Sequence, residues 1–129
     1  MSNAAILCVD DEIVILDSLK EQLKRCFGDR YIYEVAESAE EAWEVIEELH
    51  DDGIKILVIV SDWLMPGIKG DEFLIQVHQK FPQLITMMLT GQADEEAIER
   101  ARQQANLYTC LHKPWTEREL CEAISSALE

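Results

Sequence analysis

The strongest constraint on the fold is a strict alternation of short apolar runs with longer segments of helical periodicity. The run Ile56–Val60 (ILVIV) is apolar at every position and mostly β-branched, which is typical of a central strand covered on both faces. Four similar runs surround it in the chain, at Ala5–Val9, Tyr31–Ala36, Leu84–Leu89 and Leu107–Leu111. The sequence therefore predicts five strands.

A segment with one apolar helix face follows each of these strands. The first predicted helix carries Ile13, Leu16, Leu19 and Leu23 and ends at Gly28-Asp29, and the second begins at the capping pair Ser38 and Glu41 and runs through Leu49. The third contains Phe73, Val77 and Phe81. The fourth covers Asp94–Ala105, and the fifth covers Trp115–Leu128 and is begun by Thr116 and Glu119. Five strand–helix units in strict alternation predict an α/β fold with a five-stranded, doubly wound parallel sheet. An eightfold barrel needs about 250 residues, so residues 1–129 are expected to form one domain with its core between Ala5 and Leu128.

Charge and hydropathy limit the classes of partner. The chain has 11 basic and 26 acidic residues and a net charge of −15, which argues against direct binding of nucleic acid or of an anionic membrane. No apolar run reaches the roughly 20 residues that span a bilayer, and the N-terminus lacks the basic start and long apolar stretch of a signal peptide. A cytoplasmic location is therefore expected.

The cysteines show no metal or redox pattern. Cys8, Cys26, Cys110 and Cys121 form no C-x-x-C pair, and no histidine lies at zinc-finger spacing from them. Cys8 and Cys110 lie in apolar strand-like runs, where a thiol acts as a small hydrophobic side chain. We expect no metal or redox role for any of the four.

Three carboxylates follow the ends of predicted strands. Asp10 and Asp11 follow the first strand, and Asp62 ends the third. Because the carboxyl ends of parallel strands meet at one edge of the sheet, these side chains should lie close together. Mutual repulsion would be relieved by Mg²⁺, which takes carboxylate oxygens as ligands.

Two further strand ends supply groups that suit a phosphoryl ligand. Thr90-Gly91 follows the fourth strand, where the threonine offers a hydroxyl and the glycine an accessible backbone N–H. Lys113 follows the fifth strand and offers a point charge. Each feature alone has an ordinary reading, as a helix cap, a turn residue or a solvated loop, but their joint placement at four strand ends favours a phosphoryl site.

Four motifs containing these residues resemble the receiver domain of bacterial two-component response regulators, including the chemotaxis regulators. They are ILCVDDE (6–12), SDWLMPGIKGDEFL (61–74), LTGQAD (89–94) and LHKPW (111–115), and the resemblance covers Ala5 to Leu128. It implies a flavodoxin-like (βα)5 sandwich. It also implies a phosphoacceptor regulator, not an enzyme with an external substrate, which receives a phosphoryl group from a sensor histidine kinase or a phosphotransfer protein and acts on an output domain or protein.

The resemblance assigns a role to each candidate residue. It makes Asp62 the phosphoacceptor, with Thr90 and Lys113 bound to the phosphoryl group and the backbone N–H groups of Trp63 and Gly91 completing its cradle. The Mg²⁺ ligands that it implies are Asp10, Asp11, Asp62 and the backbone carbonyl of Leu64. It also implies that a homodimer can form through the fourth and fifth helices, and the L-T-G-Q-A-D and K-P-W forms resemble receivers placed ahead of phosphodiesterase or cyclase modules.

The sequence departs from the family at the switch position. An aromatic residue usually lies three positions before the lysine, and this chain has Cys110 there. Tyr108, two residues earlier, is either a substitute switch or a packing residue. We therefore expect phosphorylation to move the fourth and fifth strands through Thr90 without an aromatic rotamer change.

Leu64 and Gln92 occupy positions that modulate dephosphorylation in this family. Since the Leu64 side chain cannot orient an attacking water, slow loss of phosphate is expected.

Two other functions stay open from the sequence alone. A degenerate receiver would act as an interaction module without phosphorylation. A phosphatase of the haloacid-dehalogenase type would need a second carboxylate two residues after the nucleophile, where this chain has Leu64.

Overall fold

The structure is a computed structural model and describes residues 3–91 and 95–129. Within these residues, five strands alternate with five α-helices. The strands are β1 (Ala4–Val9), β2 (Ile32–Ala36), β3 (Lys55–Asp62), β4 (Ile85–Thr90) and β5 (Thr109–His112). The helices are α1 (Ile13–Phe27), α2 (Ala39–Asp51), α3 (Gly70–Lys80), α4 (Glu95–Gln104) and α5 (Glu117–Leu128).

All five strands pair in parallel, in the order β2-β1-β3-β4-β5. The predicted five-stranded, doubly wound flavodoxin-like sheet is confirmed. The chain moves outward from β1 to β2 and then returns to the other side of β1 with β3, so strand order reverses between β1 and β3. In an open α/β sheet this reversal opens a crevice outside the carboxyl ends of the two strands.

Two apolar layers cover the sheet because successive strand residues face opposite sides. In β1, Leu7 and Val9 pack with the buried faces of α2, α3 and α4, whereas Ile6 and Cys8 pack with α1 and α5. In β3, Ile56 and Ile59 lie in the first of these layers, and Leu57, Val58 and Val60 lie in the second. The alternation is interrupted at Leu57, where the pairing of β1 with β3 shifts register. This arrangement explains why the central run is apolar at every position.

Helix starts follow their local sequence signals. The Ser38 hydroxyl accepts a hydrogen bond from the Glu41 backbone N–H at 3.1 Å. Thr116 and Glu119 form the full reciprocal capping box at the start of α5. Asp94, the predicted first residue of the fourth helix, lies outside the described residues.

Several predicted boundaries differ from the structure by one or two residues, and two of them show the reason. The fifth strand begins at Thr109 and not at Leu107, because Leu107 and Tyr108 still belong to the connection from α4. The Leu107 N–H donates a hydrogen bond to the Ala101 carbonyl on α4, and the Tyr108 N–H donates one to the Thr86 carbonyl. The third helix ends at Lys80, and Phe81 caps it. Apolar character extends past both element ends and does not by itself mark where the backbone hydrogen bonds begin or stop.

The structure contains a disulfide that the sequence did not predict. Cys26 on α1 and Cys121 on α5 form a disulfide across 95 residues of sequence. Cys8 and Cys110 are free thiols. The pair was missed because helix periodicity alone does not say which helices become neighbours.

No helix in the described part of the chain is long and apolar enough to cross a membrane.

Candidate functional site

The site lies where strand order reverses. Asp10 follows the last residue of β1, and Asp62 is the last residue of β3. The two strands are hydrogen-bonded neighbours, with Val9 opposite Ser61. Both carboxylates are therefore fixed by the sheet and do not depend on a loop for their position.

Three carboxylates converge at this edge. One oxygen from each of Asp10, Asp11 and Asp62 lies within 4.8 Å of the others. Asp10 is fully buried, Asp62 is 5% exposed and Asp11 faces solvent. Three hard oxygen donors at this separation, one of them open to water, match the ligand preferences of Mg²⁺.

Lys113 joins two of the three carboxylates. Its Nζ lies 2.8 Å from Asp10 Oδ2 and 3.1 Å from Asp62 Oδ1. Lys113 follows β5 directly, and its backbone N–H donates to Thr90 at the end of β4. The other oxygen of Asp10 accepts from the Glu12 N–H at 2.9 Å, so Asp10 orients both the lysine and the start of α1.

Burial and charge set the proton affinities of this group. Burial raises the pKa of the Asp62 carboxyl, the hydrogen bond from Lys113 opposes the increase, and the charge of Asp10 adds to it. Burial alone would lower the pKa of Lys113, but its bonds to Asp10 and Asp62 outweigh this, and its pKa lies above the ordinary value. Lys113 therefore carries a positive charge, whereas the surroundings of Asp62 disfavour the charged form of its carboxyl group.

An open cleft of about 470 Å³ gives access to Asp62. Its walls include Asp11, Leu64, Thr90, Gly91 and Lys113. A larger cleft of about 540 Å³ lies at the opposite edge of the sheet and contains none of the site residues. The chemistry of the lining groups, and not volume, identifies the site.

The backbone groups that were expected to contact a phosphoryl group or Mg²⁺ differ in their surroundings. Gly91 lines the cleft, as does Leu64, whose side chain is 48% exposed. The Trp63 N–H donates to the Leu89 carbonyl at 2.9 Å. A phosphoryl group would therefore have to compete with this sheet hydrogen bond to engage the Trp63 N–H.

Comparison with known families identifies the chain. The sequence model of the response regulator receiver domain matches residues 6–125. The chain belongs to the response regulator receiver family. Among curated relatives of this receiver domain, the hydrogenase transcriptional regulatory protein HoxA of Cupriavidus necator is 29% identical over 98% of the chain, which spans only 24% of that protein.

Solved receiver domains share the fold. One is the signal receiver domain of an HD domain-containing protein from Pseudomonas fluorescens, with a TM-score of 0.85, 29% identity, and coverage of 97% of this chain and 94% of that one. Another is the beryllofluoride-activated NtrC4 receiver domain dimer, with a TM-score of 0.81, 28% identity, and coverage of 95% and 94%. Both support the assignment of this chain to the family.

The two switch candidates of this receiver domain lie in different surroundings. Cys110 is half-buried against the α2, α3 and α4 layer, and burial raises the pKa of its thiol. Tyr108 is 46% exposed, and its hydroxyl lies 2.7 Å from Ser126 Oγ on α5. Tyr108 is thus bonded to α5, and its side chain does not pack with Cys110 in that layer.

The sequence did not predict how closely the end of β3 contacts α3. Gly70 donates its N–H to the Trp63 carbonyl at 2.7 Å, and a Cβ at Gly70 would lie 2.0 Å from the Asp62 carbonyl oxygen. Only glycine allows this approach. The motif contained Gly70, but its sequence signal was that of an ordinary loop glycine.

A second missed feature connects the end of β3 to α4. The Trp63 indole N–H donates to Asp71 Oδ1 at 3.1 Å, and the other Asp71 oxygen is paired with Arg100 on α4. Asp71 is 2% exposed. An acidic residue in a first helical turn is usually a solvated capping charge, so the sequence carried no signal for its burial.

Gln92, one of the two residues expected to modulate dephosphorylation, lies outside the described residues.

Proposed function

We propose that residues 1–129 form a single receiver domain, with its core from Ala5 to Leu128, in which Asp62 accepts a phosphoryl group. The donor is a phosphohistidine of a sensor histidine kinase or of a phosphotransfer protein. One observation carries the proposal. Asp62 ends a central strand in an open cleft, within 3.1 Å of Lys113 Nζ and beside two further carboxylates.

The reaction requires positioning and charge neutralisation from the chain. An oxygen of Asp62 attacks phosphorus, the P–N bond of the phosphohistidine breaks, and the imidazole leaves with the electron pair. Lys113 stabilises the charge on the phosphoryl oxygens as the transfer proceeds, while the Thr90 hydroxyl and the Gly91 N–H donate hydrogen bonds to them. The product is an acyl phosphate on Asp62.

The donor set fits a magnesium ion. Asp10, Asp11, Asp62 and the Leu64 carbonyl would hold it, and Asp10 and Asp62 each have one oxygen that bonds to Lys113. Bound Mg²⁺ supplies positive charge that offsets the repulsion between the carboxylates and the incoming phosphoryl group. Lys113 alone cannot neutralise three carboxylates.

The signal leaves through β4, α4 and β5. The phosphoryl group draws Thr90 inward, and because Lys113 donates its N–H to Thr90, the start of the loop after β5 moves with it. Cys110 contributes packing but no aromatic rotamer. Structures with and without a phosphoryl mimic check this point, and an unchanged Thr90 loop would count against it.

Leu64 favours a long-lived phosphoryl group. Its half-exposed apolar side chain lines the cleft beside Asp62 and offers no group to orient an attacking water. We expect the phosphoryl group on Asp62 to have a half-life longer than a few seconds, and a shorter half-life would refute the expectation.

The partners follow from the family. We propose an output domain or protein that reads the α4–β5–α5 region, with a homodimer through α4 and α5 as one form of the signal. The beryllofluoride-activated NtrC4 receiver domain is a dimer, which supports dimerisation, and the receiver of an HD domain-containing protein supports an output module in the same chain. A net charge of −15 makes direct nucleic-acid contact by this domain unfavourable, and we place the domain in the cytoplasm.

Intact mass after incubation with acetyl phosphate tests the proposal. One phosphoryl group should be added with Mg²⁺ present, and none with EDTA or in Asp62→Asn. The exposed Asp17→Asn variant should be labelled like the wild type. Labelling that is absent from the wild type would favour the phosphorylation-independent interaction module, and labelling that persists in Asp62→Asn would move the acceptor elsewhere. Rapid phosphate release without accumulation of the phosphorylated form would instead favour the hydrolase.

A further inference from the structure

We propose that Cys26 and Cys121 are a reversible redox modification site, a dithiol that a small-molecule disulfide oxidises to a bond joining α1 to α5. The two residues are 95 apart in sequence, and their Cα atoms lie 6.3 Å apart. Such a separation is within the range that a disulfide spans without backbone movement. The proposal is independent of phosphorylation at Asp62.

The surroundings make this pair accessible. Cys26 and Cys121 line an open surface cleft of about 460 Å³ together with Phe27, Glu122 and Ser125. An attacking thiolate or an external disulfide can therefore reach either sulfur, as exchange through a mixed disulfide requires.

The other two cysteines lack this access or reactivity. Cys8 is buried in the sheet, and burial, with the charge of Asp10, raises the pKa of its thiol to about 12. Cys110 is half-buried on β5, where burial also raises its pKa. Since the thiolate is the reactive species, oxidation should select Cys26 and Cys121.

Non-covalent contacts hold the two partners in place. Arg25 on α1 is paired with Glu117 in the first turn of α5 at 2.5 Å, and the Trp115 indole N–H donates to Gln22 at 2.8 Å. Both contacts lie on the N-terminal side of the cysteines, within four residues of Cys26 and six residues of Cys121. The reduced thiols are thus expected to stay adjacent, which favours the intramolecular bond over a mixed disulfide with the oxidant.

The chemistry balances with a disulfide oxidant of the form R–S–S–R. One thiolate of the pair attacks an R–S–S–R sulfur and releases one R–SH, and the second thiolate attacks the mixed disulfide and releases another. The Cys26–Cys121 bond forms, the R–S–S–R bond breaks, and two electrons and two protons pass to the two R–SH molecules. A dithiol reductant reverses both steps.

The bond should change the domain in a measurable way. Closing a loop of 95 residues constrains the unfolded chain, and the oxidised domain should melt roughly 10 °C above the reduced one. It also fixes α5 to α1, whereas the reduced helices are held only by side-chain contacts.

The test equilibrates the whole chain with glutathione disulfide or with dithiothreitol, followed by intact mass, thiol counting after denaturation, and thermal melting. Glutathione disulfide should remove two hydrogens and two reactive thiols and raise the melting midpoint, and dithiothreitol should reverse all three changes. Cys110→Ser should behave like the wild type, whereas Cys26→Ser and Cys121→Ser should each lose the redox-dependent melting shift.

Other outcomes overturn the proposal. Four reactive thiols after oxidation, a stable mixed disulfide with glutathione, or a melting shift that persists in both serine variants would each do so. The comparison of oxidised with reduced wild-type protein needs no variant, so a poorly folded mutant does not compromise the test.

Discussion

Asp62→Asn should make the metal-free domain more stable at neutral pH. At an effective dielectric constant of about 20, two charges 4.8 Å apart repel by about 3.5 kcal/mol. Because 4.8 Å is the largest separation of the ligand oxygens, this energy is a lower bound on the repulsion between Asp62 and Asp10. Exposed Asp11 adds a smaller, solvent-screened repulsion. The attraction to Lys113 at 3.1 Å is about 5 kcal/mol on the same scale.

These Coulomb energies nearly cancel, so desolvation decides the sign. Asp62 is 5% exposed, and a buried carboxylate loses several kcal/mol of hydration free energy before compensation. A neutral amide avoids most of this loss and can still accept a hydrogen bond from Lys113. We expect the free energy of unfolding to rise by about 1–2 kcal/mol in Asp62→Asn.

The pH dependence has a definite sign. Because the pKa of Asp62 is raised above its ordinary value of 3.8 in the folded state, protonation favours folding. The gain in the free energy of unfolding from Asp62→Asn should be complete at pH values above the raised, folded-state pKa. It should decrease as the pH falls through that pKa and vanish below the ordinary value. Wild type and variant should then be equally stable.

Urea unfolding followed by tryptophan fluorescence, in EDTA and dithiothreitol, measures this difference. A gain of 1–2 kcal/mol corresponds to a midpoint shift of about 1 M urea, and Asp17→Asn controls for the loss of one distant charge. Mg²⁺ at about ten times its dissociation constant should stabilise the wild type by about 1.4 kcal/mol and the variant by less. An Asp62→Asn domain that is no more stable than the wild type in EDTA would refute the reasoning.

Other changes have equally direct outcomes. Replacing Lys113 with Met should slow labelling of Asp62 by acetyl phosphate about a hundredfold, since one charged donor to the transition state is lost; an unchanged rate would remove Lys113 from the reaction. Gly70→Ala should destabilise the domain by about 1–3 kcal/mol in urea, because its Cβ would meet the Asp62 carbonyl, and a neutral effect would contradict that close approach. Asp71→Ala should cost about 2–4 kcal/mol by leaving the buried Trp63 indole N–H without its acceptor and breaking an ion pair, and an urea midpoint equal to that of the wild type would show that this link carries no energy.

The fold could be predicted from the sequence because each element carries its own signal. Ile56–Val60 reads as a doubly covered strand without any tertiary information, and Thr116 with Glu119 marks a helix start. The approach of Asp10 to Asp62 followed from a general rule about parallel sheets, since Asp10 directly follows β1 and Asp62 ends β3. These features depend on backbone direction and local periodicity, which the sequence expresses directly.

The features that were missed depend on which surfaces meet. Asp71 is buried where it meets Trp63 and Arg100, which come from two other parts of the chain. Cys26 and Cys121 become partners only because α1 and α5 pack side by side. Neither contact can be deduced from the spacing of residues along one element, so hydrophobic periodicity does not predict it.

Localisation of the phosphoryl group tests the central claim most directly. The domain is phosphorylated by a purified phosphohistidine donor in Mg²⁺, the acyl phosphate is trapped by borohydride reduction, and the modified residue is identified by peptide mass spectrometry. Reduction is expected at Asp62 alone in the wild type and at no residue in Asp62→Asn. Modification at Asp10 or Asp11, or a phosphorylated domain with Asp62 unmodified, would contradict it.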